Sequence, residues 1–273
     1  MKKVSTKAIS FILCILLLVV SIFTLSACEI VEAFREIEGN KIDYNGMTFK
    51  LGVYESENGK EDCYMAGNFH NKNALHFFIP MEINGIKVRK IGYPGGLNFG
   101  SVTLNLHDLA LQKLYMPGTI IGQGVDYEYL IYTHNDMQIY YCGEVIDLHC
   151  IYPYNNSAYA IDYFVPADKY DEFINKLGSK AGFSPTTSGF YKANVSYRLN
   201  ADDLCEYYYV DNIEAGSKIV NIPPEPTRAG YKFAGWYTEK ECINKWYFDN
   251  KPTVSADETS FVEFSLYAKW TKK

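Results

Sequence analysis

Near the C-terminus, Val262, Phe264, Leu266, Ala268 and Trp270 are apolar, while Glu263, Ser265, Lys269 and Thr271 stand between them. A repeat of two is the spacing of a strand that buries one face, because successive Cβ atoms point to opposite sides of a sheet. Phe261 and Tyr267 depart from the alternation. The same pattern recurs in Val195, Tyr197 and Leu199, set against Asn194, Ser196 and Arg198, and again in Tyr159, Ile161, Tyr163 and Val165. Composition agrees, since 24 Tyr and 16 Phe among 273 residues, with few alanines, favour strands over helices. One segment has helical spacing: Asp168 to Leu177 places Tyr170, Phe173, Ile174 and Leu177 on one face, with Gly178 as a stop. Paired Tyr207-Tyr208-Tyr209 and Tyr140-Tyr141 read as strand residues with rings on alternate faces, the outward ones offering a contact surface. The chain is therefore expected to be mainly β (α+β).

The N-terminus is of a different kind. Met1 to Ala27 carries Lys2, Lys3 and Lys7 and no acid, then an apolar run from Ala8 to Val20 interrupted only by Ser10. A cationic end, an apolar core and small residues before a cut describe a secretory leader. Leu25-Ser26-Ala27-Cys28 resembles a bacterial lipobox. That resemblance implies that Leu25, Ser26 and Ala27 are read by the signal peptidase and that the Cys28 thiol carries a diacylglyceryl group. An ordinary cleaved leader or an uncleaved anchor is the alternative, because Ala8 to Leu25 is long enough to span a bilayer. Burying acyl chains is worth ~0.8 kcal/mol per CH₂, so a lipidated Cys28 would hold the protein on the extracellular face of the cell membrane. Losing the three leader lysines moves the net charge from −6 to −9, an acidic balance that argues against nucleic acid as a partner.

The last segment contains a dense motif. Pro224-Glu225-Pro226-Thr227-Arg228-Ala229 leads into Gly230-Tyr231-Lys232-Phe233-Ala234-Gly235-Trp236-Tyr237-Thr238, followed by Trp246-Tyr247-Phe248 and Leu266-Tyr267-Ala268-Lys269-Trp270. Pro223, Pro224 and Pro226 stiffen the approach, Gly230 permits a turn, and Gly235 lets a backbone pass close beside Trp236. Trp236, Trp246 and Trp270 read as an aromatic core for a small unit, with sugar stacking as the alternative. The run resembles the internalin-type B-repeat, or Listeria–Bacteroides repeat, over roughly Lys192 to Lys273. The resemblance implies a small β-grasp-like module that serves secreted and surface proteins as a spacer or interaction unit. Its fixed positions here are Gly230, Tyr231, Phe233, Gly235, Trp236, Tyr237, Leu266, Tyr267 and Trp270.

A looser recurrence fills the middle. Ile79-Pro80, Met116-Pro117 and Val165-Pro166 each close an apolar run, and Ile91-Gly92 and Ile121-Gly122 follow the first two. These steps resemble BspA-type leucine-rich repeats, and Val165-Pro166-Ala167 before a short helix resembles their end unit. Gly46-Met47-Thr48-Phe49 and Tyr64-Met65-Ala66-Gly67 resemble the β segment that precedes a first repeat. The departures are an uneven period and Tyr93-Pro94 where the repeat carries Ala-Phe, so an unrelated β-rich domain is the alternative.

Catalytic and metal-binding patterns are not found. His70, His76, His107, His134 and His149 show no HExxH or paired-ligand spacing, and no GxSxG elbow is present. Gly122-Gln123-Gly124 lacks the third glycine of a nucleotide loop, and Asp202-Asp203 and His134-Asn135-Asp136 read as turns, with calcium as an alternative. Beyond Cys14 and Cys28, the cysteines are Cys63, Cys142, Cys150, Cys205 and Cys242, an odd number that reads as buried thiols or one Cys142–Cys150 bridge. Asn155 and Asn194 stand in glycosylation sequons.

The expected organisation is a leader over 1–27, a lipid-anchored connector over 28–40, an irregular leucine-rich-repeat-like β domain over 41–177, a linker over 178–191 and the B-repeat-like module over 192–273. The expected role is non-catalytic adhesion or protein–protein interaction at the cell surface, without cofactor or metal. The partners are then the membrane, through the lipid, and a protein ligand outside the cell; a glycan ligand held by exposed aromatics is the alternative.

Overall fold

The alternating aromatic and β-branched residues form strands wherever a neighbour completes their backbone hydrogen bonds. The computed structural model describes residues 33–56, 59–91, 102–105, 110–121, 129–132, 136–145, 160–178, 189–257 and 259–273. The lipobox Leu25 to Cys28, Tyr159, His107, His134, His149, Cys150 and Asn155 lie outside them.

The first sheet has the order β1 (Ala33–Tyr44), β2 (Met47–Ser56), β3 (Gly59–Phe69), β6 (Ile86–Ile91), β5 (Glu82–Ile83). Two of its hairpin turns, Asn45-Gly46 and Asn84-Gly85, have φ of 50° and 85°, and of 52° and 79°. Positive φ at both central residues matches the right-handed twist of the flanking strands, which is why Asn-Gly sits there. Strand β1 begins at Ala33, so part of the stretch expected as a connector pairs with β2 instead.

The second sheet is wholly parallel: β4 (His76–Phe78), β8 (Lys113–Met116), β10 (Met137–Tyr141), β11 (Ile161–Val165) and β12 (Phe190–Lys192) lie side by side in chain order. A short parallel pair joins β7 (Val102–Asn105) and β9 (Tyr129–Tyr132). In-register pairing makes two rows of side chains. Phe77, Leu114, Ile139, Tyr163 and Phe190 face one way; Phe78, Tyr115, Tyr140, Phe164 and Tyr191 face the other. The three apolar-proline steps of the sequence all stand at the same end of these strands. Tyr141-Cys142 and Lys192-Ala193 occupy that level without proline, and there the amides of Cys142 and Ala193 donate to Met116 O and Val165 O at 3.2 and 2.9 Å.

Helix α1 (Tyr170–Gly178) follows β11 and carries Asp171 and Glu172 in its first turn, where the helix dipole favours negative charge. Phe173 is fully buried edge-on against Tyr141, whereas Ile174, expected on the same face, is largely exposed. The C-terminal sheet has the order β14 (Tyr207–Asp211), β13 (Val195–Arg198), β16 (Phe264–Lys272), β15 (Tyr231–Tyr237), with the central pair parallel and the outer pairs antiparallel.

Two apolar clusters hold these layers together. One lies between the first sheet and the Phe77 row, and includes Met47, Phe49, Ala66, Val88, Leu114 and Phe173. The other lies between the Phe78 row and the C-terminal sheet, and includes Tyr115, Tyr140, Tyr209, Trp236 and Leu266. The parallel sheet is thus the middle layer, covered on both faces as parallel sheets usually are. This corrects the half-buried reading of Ile161 to Val165: Ile161, Tyr163 and Val165 are buried, and so is Phe164 on the opposite side. It also corrects the tyrosine runs. Tyr140, Tyr141, Tyr207, Tyr208 and Tyr209 are all buried, because two sheet faces close over them.

Candidate functional site

A seam of tyrosines and one carboxylate joins the parallel sheet to the C-terminal sheet. Along the outer row of the parallel sheet, Phe78–Tyr115, Tyr115–Tyr140, Tyr140–Phe164 and Phe164–Tyr191 stack with centroids 4.1, 4.5, 5.0 and 5.3 Å apart. These distances follow from the ~4.8 Å spacing of in-register strands, which places equivalent rings one above another. Strand β14 lies across this row. The Tyr115 hydroxyl donates to Asp211 Oδ1 at 3.0 Å, and the Tyr209 ring meets Phe78 edge-on at 5.0 Å.

The proline steps contribute directly to this docking. Register places Met116 beside Ile79, so the next residue, Pro117, stands where an amide would bond Ile79 O but has no N–H to give. The buried Tyr209 hydroxyl donates to that carbonyl at 2.5 Å. Gly118, next along, leaves room for β14, since a Cβ there would sit 2.2 Å from Tyr207 O. Outside the seam, Asp168 accepts from the Tyr207 hydroxyl and lies 3.5 Å from the Arg198 guanidinium.

Asp211 is 1% exposed, and its Oδ2 has no hydrogen-bond partner among the described residues. Burial pushes its pKa up to about 6, against the opposing pull of Lys113, the Asn212 amide and the Tyr115 and Tyr140 hydroxyls. Burial likewise raises the Cys63 thiol to about 12 and Cys205 to about 11, so neither has the character of a reactive thiolate. Cys63 and Cys142 are buried free thiols, and Cys205 and Cys242 are half-buried ones.

At the β4 end of the ring row, the first sheet, the parallel sheet and the C-terminal segment enclose an open cleft of about 350 Å³. Tyr44 and Asn45 enter from the β1–β2 turn, His76 and Phe78 from β4, Glu82 from β5, Tyr208 from β14, and Glu225 and Thr227 from the proline-rich approach. Pro223 and Pro226 are buried and hold that approach in place. The Thr227 hydroxyl donates to Glu82 Oε1 at 2.6 Å across the mouth. A second groove, of about 620 Å³, runs along the starts of the parallel strands and presents Lys113, Asp136, Gln138 and Asp162. Burial raises the pKa of Asp162, and Asp136 adds to the effect, while the Gly189 amide opposes it.

The residues singled out in the C-terminal motif are framework. Gly230 has φ of +75° in the turn before β15, which Tyr231 N closes by donating to Arg228 O at 3.1 Å. Gly235 has φ of +118° at a register shift, where a Cβ would meet Lys245 Cε at 2.7 Å. Trp236 is buried among Tyr197, Tyr208 and Phe233. Trp270 donates Nε1–H to Leu199 O at 2.6 Å and packs on Phe233, and Trp246 packs on Phe264. The Tyr231 ring is covered by the Arg228 guanidinium at 3.9 Å, Tyr237 by Lys269 at 4.7 Å, Leu266 is fully buried, and Tyr267 pairs with Tyr237. All three tryptophans are thus engaged in packing. The exposed aromatics among the described residues include Tyr44, Tyr191 and Tyr247, which stand on separate parts of the fold.

The remaining candidates are also placed. His70 Nε2 lies 2.8 Å from Asp43 Oδ2 in an exposed contact, and Asp203 is an exposed carboxylate whose pKa its bond to Arg228 lowers. The sequon residue Asn194 is fully buried, with its amide bonded to both backbone groups of Ile213. Among the described residues, no three His, Cys, Asp or Glu side chains converge closely enough to hold a metal ion. No helix among them is long and apolar enough to cross a membrane.

Sequence reasoning missed the cleft, because its aromatic and acidic residues come from segments far apart in the chain. The nearest signals were the proline-rich approach, read as stiffening the chain, and Tyr208, whose run was read as offering outward rings for contact. Residues 194–269 match the family model of the Listeria-Bacteroides repeat domain.

Proposed function

We propose that this is a lipid-anchored, non-catalytic protein of the cell surface that engages a protein partner outside the cell. The match of residues 194–269 to a repeat family found in surface proteins carries the reading. The lipobox ending at Cys28 supports the anchor, and the order β14-β13-β16-β15, with first and last strands parallel at the centre, supports a β-grasp-like module. The chain-order parallel sheet, with its proline steps at one level, supports the degenerate leucine-rich-repeat-like reading of the middle region. The expected bounds shift at two places, since β1 takes in residues from Ala33 of the expected connector and β12 carries Phe190 and Tyr191 of the expected linker and Lys192 of the expected module into the parallel sheet. The middle region and the C-terminal module then meet through the tyrosine seam.

The test has two arms. Cells making the full chain are fed a fatty-acid probe: wild type should be labelled and reached by external protease, and Cys28→Ala should lose the label and appear in the medium. Label retained on Cys28→Ala overturns the anchor. The mature chain, displayed on beads, should be retained by at least one protein in an array of host, matrix and cell-wall components; retention by none overturns the binding role.

A further inference from the structure

The junction cleft combines negative charge with an apolar wall. Glu82 and Glu225 bring carboxylates to it from different parts of the fold, and Tyr44, Phe78 and Tyr208 bring aromatic rings. Phe78 is stacked on Tyr115 and Tyr208 packs on Tyr209 and Trp236, so these rings serve as an apolar wall, beside which a carboxylate attracts a cation more strongly than it does in bulk water. Tyr208 is only 4% exposed and Phe78 is half-buried, while Glu225 stands at the solvent-exposed rim of the cleft. Among the described lining residues none is Lys or Arg, and His76 is the single one able to become positive.

The carboxylates are not consumed by the fold. Thr227 takes Glu82 Oε1 and orients the group, while Glu82 Oε2 and the Glu225 carboxylate have no hydrogen-bond partner or ion pair among the described residues. Elsewhere in the C-terminal module the same pairing is already satisfied internally: Arg228 covers Tyr231 and pairs with Asp203 at 2.6 Å. The cleft presents the acidic and aromatic half of that arrangement with no lysine or arginine among its described lining residues.

We propose that the cleft takes the cationic head of a lysine or arginine side chain presented by a protein partner. Its volume of about 350 Å³ is at the small end of ligand pockets, which suits one side chain rather than a length of strand. The acidic charge of the chain adds long-range attraction for a basic surface. The inference rests on the binding role proposed above and names the chemistry that role would recognise.

The test uses the mature chain with isotope-labelled Tyr and Phe rings, titrated by NMR with end-blocked Gly-Arg-Gly and Gly-Lys-Gly. Both peptides should shift the Tyr44, Phe78 and Tyr208 signals saturably, and end-blocked Gly-norleucine-Gly should not. Glu82→Gln with Glu225→Gln should weaken binding at least tenfold, as should a rise from 50 mM to 500 mM salt. Equal shifts from the norleucine peptide overturn the proposal, and that arm needs no variant to fold. Unchanged binding by the folded double variant also overturns it, as does tighter binding of glucosamine than of either cationic peptide. Peptide binding together with an empty protein array would sink the adhesion reading and leave this chemistry standing; array retention with silent peptides would do the reverse.

Discussion

The parallel middle sheet and the C-terminal sheet both rely on aromatic packing, but they obtain it differently. In the C-terminal sheet the motif residues are close in sequence: Tyr231, Phe233, Gly235 and Trp236 fall on one strand, which pairs antiparallel with the next strand of the chain. In the parallel sheet no ring has its stacking partner nearby, since Phe78, Tyr115, Tyr140, Phe164 and Tyr191 belong to five different strands. The first arrangement suits a portable unit. The second has little meaning until every strand is in register, and then its outer row supplies the surface on which the C-terminal sheet docks.

The comparison breaks most visibly at the centre of the stack. Tyr115→Ala removes a fully buried ring, its contacts with Phe78 and Tyr140, and the donor to Asp211. It should cost about 3–5 kcal/mol by denaturant titration. Because the seam is shared, tryptophan emission from the C-terminal sheet should shift to lower denaturant along with the far-UV signal. Separate transitions would show that the two regions are independent.

Asp211 should show the next largest effect. Its carboxyl titrates near 6 when folded, against 3.8 for the free group, so the folded state binds the extra proton between those values. Stability from this residue is therefore fully present below about pH 4 and is lost as pH rises through 6. Asp211→Asn should flatten that slope and raise stability at pH 7 by up to about 3 kcal/mol, at 1.36 kcal/mol per pKa unit. A slope unchanged by the substitution would remove Asp211 as its source.

Gly118→Ala tests the docking itself. The new Cβ would collide with the Tyr207 carbonyl oxygen at 2.2 Å, so the strands must part. A loss of about 1–3 kcal/mol is expected, with increased protease sensitivity in both regions. The smallest effect should come from Trp270→Phe, which keeps most of the packing but removes the hydrogen bond to Leu199 O. About 1 kcal/mol should be lost, without the pH dependence that Asp211 confers. An effect on Trp270 larger than that on Tyr115 would reverse the ranking of the two regions.

Part of this was legible beforehand. The strand around Leu266 and Ala268 shows in the alternation, because one-sided burial leaves a period of two. The glycines of the C-terminal motif were legible for the same local reason: positive φ at Gly230 and Gly235 is set by the turn and the bulge they occupy. The apolar-proline steps pointed to equivalent strand ends; Tyr140-Tyr141 read as strand residues, but the place of β10 in that series did not show, because Tyr141-Cys142 fills that level without a proline. The tyrosine runs were misjudged, since periodicity along one strand says nothing about whether a second layer covers its outer face. The cleft left no local trace, because Tyr44, Glu82, Tyr208 and Glu225 meet only after three layers have assembled.

By itself, then, the sequence determined the β class and the C-terminal module, properties that residues acquire from near neighbours in the chain. Tertiary structure decided that the parallel sheet is covered on both faces, that a carboxylate lies in the seam, and that acid and aromatic groups share one cleft. Those outcomes depend on through-space register between distant strands, and on Pro117 and Gly118 leaving a free carbonyl and an open space where Tyr209 and Tyr207 arrive.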